Sequence, residues 1–249
     1  MDVPIDIKVW GEYACFTRPE FKVERVSYPV ITPAAARGVL EAIYWKPQFR
    51  FRIQRIGILK QGTQFALLRN EIKSRQSELP STKSVTDHYL EAEEDRAQRT
   101  SLILQNVCYR IVARIELRND ETNVGKHFAC FHRRAERGEY HYHPYLGCRE
   151  FSANFEPATD VDVPDSNLQI PIGTMLFDTA YIKDERWYSD KKNFEDRLEF
   201  WDHSSKEPVI AKGLAKRLFF FAEVKDGWLR VPQDKYDELA RLEANNGIA

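Results

Sequence analysis

Hydrophobic positions at helical spacing stand out between Asn123 and Arg137. Val124, Phe128, Phe131 and Ala135 fall at i, i+4, i+7 and i+11, one apolar stripe on an otherwise polar segment. Asn123 can cap the start of this helix, and Gly138 can end it in a left-handed conformation. A second helix begins at Thr32-Pro33, an N-cap hydroxyl followed by proline at the first helical position. Ala36, Val39, Leu40 and Ile43 form its buried face, and it runs to about Tyr44. Pro47 then forces Lys46 to be extended. Strict alternation marks the strands. Ile5, Ile7 and Val9 alternate with Asp6 and Lys8, and Phe49, Phe51 and Ile53 alternate with Arg50 and Arg52. The phase slips at Gln54-Arg55, because Ile56 and Ile58 continue on the other parity, so a β-bulge is expected there. The clearest strand runs from Val107 to Leu117, and Tyr145–Phe151 reads as a fourth, beginning beside Gly147.

The order strand, helix, strand, strand, helix, strand predicts an α+β fold of the ferredoxin-like, RRM-like βαββαβ type over residues 1–157, with both helices on one face of an antiparallel sheet. A charge-dense insertion, about 62–100, reads as hairpins or loops, with Asp87–Arg99 a candidate short helix. Pro157–Asp165 is acidic, holds two prolines and reads as a linker. Beyond it, residues 158–249 carry strand patterns at Ile172–Tyr181 and Leu218–Val224, an ambiguous stretch at Lys191–Trp201 and a terminal helix at Lys235–Leu242. A small β-rich antiparallel C-terminal domain is expected.

Hydrophobic residues make up 43% of the 249, enough for a packed core rather than disorder. No apolar run approaches the roughly 18 residues of a membrane span. The start, Met-Asp-Val-Pro-Ile-Asp, lacks the basic flank and apolar core of an export signal. Cys15, Cys108, Cys130 and Cys148 are scattered without CxxC spacing, as in a reduced, cytoplasmic protein with no membrane partner. The formal net charge of −1 is unevenly spread. Tyr44–Arg75 holds eight Lys or Arg against one acid, whereas Glu150 to the end holds 13 basic and 20 acidic residues. A basic first half fits a polyanion, and it also fits a surface whose charges mix after folding.

Lys126 and His127 fall in the first turn of the second helix, where a cation opposes the positive end of the dipole. The dipole helps keep His127 neutral and able to accept a proton. Tyr44 ends the first helix, and in a ferredoxin-like fold it can converge with the Lys126-His127 pair. RNA can be cut by its own 2′-hydroxyl if one group takes that proton, another stabilises the pentavalent phosphate, and an acid serves the leaving 5′-oxygen. The three residues could supply those roles. Taken alone, they also fit a solvated Lys-His pair and an interfacial tyrosine. Arg133, Arg134 and Arg137 on the same helix, with Arg110 and Arg114 on a neighbouring strand, suit phosphate contacts or ordinary solvation. No Walker loop, GxSxG, HExxH or paired zinc motif is present. His127 and His132 do not share a helical face, and His141 with His143 lacks a third ligand, so no metal site is expected.

Glu41-Ala42-Ile43-Tyr44-Trp45-Lys46-Pro47, Gly125-Lys126-His127-Phe128 and Tyr145-Leu146-Gly147-Cys148-Arg149-Glu150-Phe151 resemble, in order and spacing, the CRISPR-associated Cas-five family of subtype I-C, the Dvulg or "d" variant. The opening Val9–Thr17 agrees. The resemblance covers most of residues 5–155 and thins afterwards. It implies a ferredoxin-like RNA-binding domain with a smaller β-rich domain. It also implies cofactor-free, metal-independent cleavage of precursor CRISPR RNA at the base of the repeat hairpin, leaving a 5′-hydroxyl and a 2′,3′-cyclic phosphate. The implied partners are the CRISPR repeat RNA and its 5′ handle, the other subunits of the type I-C Cascade complex, and DNA within that complex. Tyr44, Lys126 and His127 match the family's catalytic positions. The superfamily's glycine-rich loop would place Gly147 and Arg149 on RNA, although this loop is poor in glycine. Two alternatives stay open: a handle-binding Cascade scaffold that does not cut, and a divalent-metal-dependent DNA nuclease.

Overall fold

The computed structural model describes residues 4–21, 23–73, 95–118, 121–183, 197–202 and 209–244. In chain order the elements are β1 (Ile5–Ala14), α1 (Pro33–Ile43), β2 (Phe49–Lys60), β3 (Thr63–Ile72), β4 (Arg96–Leu117), α2 (Val124–Arg137), β5 (Asn154–Pro157), β6 (Ile170–Lys183), β7 (Arg197–Asp202), β8 (Val209–Lys225), β9 (Trp228–Arg230) and α3 (Asp234–Ala244). The strands form one sheet in the order β5-β1-β4-β2-β9-β8-β6, with β3 also on β4 and β7 also on β8. Every pairing between these strands is antiparallel. The class is α+β.

The period-2 pattern decides which side of the sheet is covered. Ile5, Ile7 and Val9 of β1, Phe49, Phe51 and Ile53 of β2, and Tyr109, Ile111 and Ala113 of β4 are all buried. They meet Val39, Leu40 and Ile43 of α1 and Phe131 and Ala135 of α2 in one core. Phe131 packs edge-on against Phe51, ring centroids 5.5 Å apart. The bulge expected at Gln54-Arg55 is present as a register shift between Ile53 and Arg55, which returns Ile56 and Ile58 to the buried side.

Three sequence expectations are corrected. The strand read as Val107–Leu117 starts at Arg96: its first half pairs with β3, and the two make a hairpin within the expected insertion. Within the candidate helix at 87–99, positions 87–94 lie outside the described residues and Arg96–Arg99 are strand. The fourth strand is Asn154–Pro157, not Tyr145–Phe151. Residues 145–152 fold back on themselves instead: Leu146 N–H donates to Phe151 O at 2.8 Å, and Phe151 N–H donates to Cys148 O at 3.0 Å. Gly147 makes the reversal possible. Its φ is +86°, and a Cβ there would lie 2.0 Å from the Cys15 carbonyl oxygen. The buried Leu146 and Phe151 that suggested a strand fill a corner beside the sheet.

β6, β8 and β9 continue the sheet, and β9 joins it to β2. Tyr236 of α3 is buried, and its hydroxyl accepts the Ile53 N–H at 2.8 Å. Leu229, Phe177 and Tyr236 belong to the same core as Phe51 and Ile53. Among the described residues, no helix is long and apolar enough to cross a membrane.

Candidate active site

α1 ends where the backbone turns extended at Tyr44, φ −153° and ψ 124°, two residues before Lys46-Pro47. The Tyr44 N–H still donates to Leu40 O at 3.0 Å, so the residue is fastened to the last turn. Its ring stacks on Phe49, centroids 5.6 Å apart. Arg134 of α2 reaches across: its guanidinium donates to Ile43 O at 2.8 Å and lies 5.3 Å from the centre of the Tyr44 ring. One carbonyl that the end of α1 leaves unpaired is thereby satisfied, and the phenol is clamped between two side chains.

α2 begins as its sequence directs. The Asn123 side chain accepts the Lys126 N–H at 3.0 Å, and Gly138 ends the helix with φ +66°. The inward stripe is His127, Phe131 and Ala135, with Val124 and Phe128 at its margin. His127 is therefore inside, 1% exposed, and its ring lies 4.7 Å from that of Phe49.

The structure brings Tyr44, Lys126 and His127 together. Tyr44 Oη is 3.1 Å from His127 Nδ1. Lys126 is 51% exposed and reaches the same place through a residue the sequence reading missed, Glu121. Glu121 Oε2 accepts from Lys126 Nζ at 2.8 Å and lies 3.2 Å from His127 Nε2. Its Oε1 accepts the backbone N–H groups of Thr122 and Asn123 at 3.1 and 2.9 Å. Four partners hold one carboxylate. The signal in the sequence is slight: an acid just before the cap of a helix whose first turn carries an otherwise unfavourable Lys-His pair.

The Lys126 ammonium and the Asn123 amide hold the Glu121 carboxyl down at about 2, so it is anionic at neutral pH. Burial pushes the His127 imidazole below its ordinary value, Glu121 pulls it up, and Lys126 and Lys46 push it further down. The ring is neutral at pH 7. Burial raises the Tyr44 phenol, helped by Cys130 and opposed by Arg134, so the phenol keeps its proton.

The expected phosphate-binding arginines divide. Arg133 and Arg149 are exposed, and Arg137 is exposed with a 3.7 Å ion pair to Glu139. Arg134 is occupied by Ile43 and Tyr44. Alternation along β4 puts Arg110 and Arg114 on the sheet face opposite α2. Arg110 is bound bidentately by Asp6 at 2.9 and 2.7 Å and donates to the Asp162 carbonyl at 2.9 Å. Arg114 stands opposite Arg52 in the ladder. Gly147 serves the turn against Cys15. Among the described residues, no three His, Cys, Asp or Glu side chains converge as a metal site requires.

The chain matches a family model described as CRISPR-associated protein (Cas_Cas5) over residues 5–232. It is 48% identical to the CRISPR pre-crRNA endoribonuclease Cas5d of Thermus thermophilus over 240 residues, covering 96% of each chain. It is 37% identical to the protein of the same name from Mannheimia succiniciproducens over 245 residues, covering 95% of this chain and 98% of that one. Among solved structures, a CRISPR-associated protein superposes with a TM-score of 0.57 at 18% identity, and a functionally uncharacterized protein from Streptococcus mutans with 0.59 at 17%. Each covers 94% of both chains, and both likenesses speak to the fold. The chain that carries Tyr44, Lys126 and His127 at the ends of its first two helices thus belongs, across nearly its whole length, to the CRISPR-associated Cas5 family.

Proposed function

We propose that this protein is a metal-independent endoribonuclease that cuts precursor CRISPR RNA at the base of the repeat hairpin and then stays on the 5′ handle within a cytoplasmic Cascade complex. The observation that carries the reading is the 3.1 Å approach of Tyr44 Oη to His127 Nδ1, with the Lys126 ammonium tied to the other ring nitrogen through Glu121. A phenol, an imidazole and an ammonium can supply the base, the acid and the charge stabilisation that in-line attack by a 2′-hydroxyl requires. The names of the two relatives, at 48% and 37% identity, support the same activity. In this reading Lys126 holds charge on the phosphate, while Tyr44 and His127 move the proton. Arg133, Arg137 and Arg149, exposed near the second helix and its following loop, track the RNA backbone.

The order β5-β1-β4-β2, with α1 and α2 packed on one side, supports a ferredoxin-like unit for residues 1–157. Residues 158–249 then form the β-rich second unit, fused to the first through β9.

Purified protein with its own repeat RNA in excess chelator should yield a 5′-hydroxyl fragment and a 2′,3′-cyclic phosphate. A 2′-deoxy substitution at the cut nucleotide should abolish the reaction. Loss of cleavage in chelator, or cleavage of the deoxy substrate, would overturn the mechanism.

A further inference from the structure

Glu121 accepts hydrogen bonds and, held as an anion, donates none. The neutral His127 ring must therefore place its proton on Nε2, 3.2 Å from that carboxylate. Nδ1 then carries a lone pair and faces Tyr44 Oη at 3.1 Å, so the phenol O–H donates into the ring. The remaining lone pairs of Oη can accept from a substrate. At 1% exposure, His127 has no other route to RNA.

From this polarity we infer that Glu121 is a positioning residue that fixes the Nε2–H tautomer of His127 and so makes the Tyr44–His127 pair the proton-accepting arm of the reaction. The inference rests on the proposed endoribonuclease function and assigns its direction. The 2′-hydroxyl proton passes to Tyr44 Oη as the phenol proton passes to His127 Nδ1. The 2′-oxygen bonds to phosphorus, and the bond from phosphorus to the 5′-oxygen breaks, with its electron pair leaving on that oxygen. The 5′-oxygen takes a proton from the Lys126 ammonium that holds charge on the phosphate, and the imidazolium returns its extra proton to Tyr44 Oη, whose own proton passes to solvent and so back to the lysine. While the imidazolium exists, the Glu121 carboxylate lies against its Nε2–H and stabilises it. Among the described residues, the charged and titratable groups around the Tyr44–His127 pair are Glu121 from the preceding loop, Lys126, Cys130 and Arg134 from α2, and Lys46 from the end of α1. Only Glu121 among them can demand a proton on Nε2.

The test has a part that needs no activity. In RNA-free protein with ¹⁵N-labelled histidine, the His127 resonances should show protonated Nε2 and bare Nδ1 at neutral pH. Glu121→Gln, whose amide can donate to Nε2, should shift proton occupancy toward Nδ1. Lys126→Met removes the ion pair but leaves the carboxylate, and should keep the Nε2–H form. Cleavage by Glu121→Gln should fall about 10²-fold with RNA affinity little changed. A proton on Nδ1 in the wild type, or a Gln variant with the wild-type tautomer, overturns the inference. A Gln variant with the altered tautomer and undiminished cleavage overturns the proton-accepting role. Wild-type protein that shows the Nε2–H form but cuts no repeat RNA leaves the tautomer assignment standing and overturns the endoribonuclease reading instead.

Discussion

Two charged networks lie on opposite faces of the same sheet, and they differ in where they end. On the face away from α1 and α2, Arg110 is held by both oxygens of Asp6, and Lys8 pairs with Glu156 at 2.9 Å and with Asp162 at 3.1 Å. Asp162 in turn accepts from Thr159 N–H and Oγ. Each charge there meets a fixed partner, so the network closes on itself. On the helix face, the chain Tyr44, His127, Glu121 and Lys126 starts in the core and ends on a half-exposed ammonium. It is open at one end. A basic residue is thus a poor guide to RNA contact by itself: Arg110 and Lys126 look alike in the sequence, yet one is spent on folding and the other is presented outward.

The largest test of that contrast is one substitution on each face. If His127 accepts the proton as proposed, His127→Ala should lower repeat-RNA cleavage by about 10³-fold, while gel-shift affinity changes little. Arg110→Ala should leave cleavage within a few-fold of wild type. It should lower stability by about 1–2 kcal/mol, since Asp6 and a carbonyl lose their donor at a partly buried site. Rates and denaturant midpoints of the two variants check both. Comparable losses of cleavage in the two would erase the distinction between the faces.

A pH titration sharpens the contrast less drastically. Burial holds His127 below the ordinary histidine value, so the folded state binds this proton less readily than the unfolded chain. Stability should therefore fall as pH drops from about 6.5 towards the lowered native value, and level off beneath it. His127→Gln should remove that slope. If the neutral ring accepts the proton, as proposed, the acid limb of cleavage should lie below about 6.5 in a pH–rate profile. Glu121 acts in a separate window: its depressed carboxyl contributes stability above its ordinary value near 4.5, lost as pH falls towards about 2. An acid limb of cleavage well above 6.5 would mean that another group accepts the proton.

The parts of this molecule that were readable in the sequence are those that repeat. The alternations in β1 and β2, the phase slip at Gln54-Arg55 and both ends of α2 follow from local periodicity and capping chemistry. The first half of β4 escaped because it pairs with a largely exposed β3, so neither strand has a continuous buried side to impose a pattern. Tyr145–Phe151 misled because buried apolar residues in a turn produce the same letters as a short strand. The apolar stripe of α2 runs in the sequence through Val124 and Phe128, whereas in the fold His127, four residues before Phe131, takes the inner side. Glu121 has no periodicity at all. Its place depends on the Thr122 and Asn123 backbone N–H groups that seat a loop carboxylate beside the first turn, and no spacing in the sequence marks such contacts.

The smallest expected effect tests the arginines on the helix side. Arg133 is exposed, whereas Arg134, its neighbour in sequence, is turned inward to the Ile43 carbonyl and the Tyr44 ring. If Arg133 neutralises one phosphate, Arg133→Ala should weaken RNA binding uniformly across sequences. It should also reduce the slope of log affinity against log salt by about 1, with the cleavage rate of bound RNA unchanged. Arg134→Ala should do the reverse: little change in salt slope, but slower cleavage of bound RNA, because the clamp on the phenol is lost. Salt-titrated binding and single-turnover rates separate the two. Equal changes in slope from both would mean that Arg134 leaves Tyr44 when RNA binds, and that the helix face reorganises.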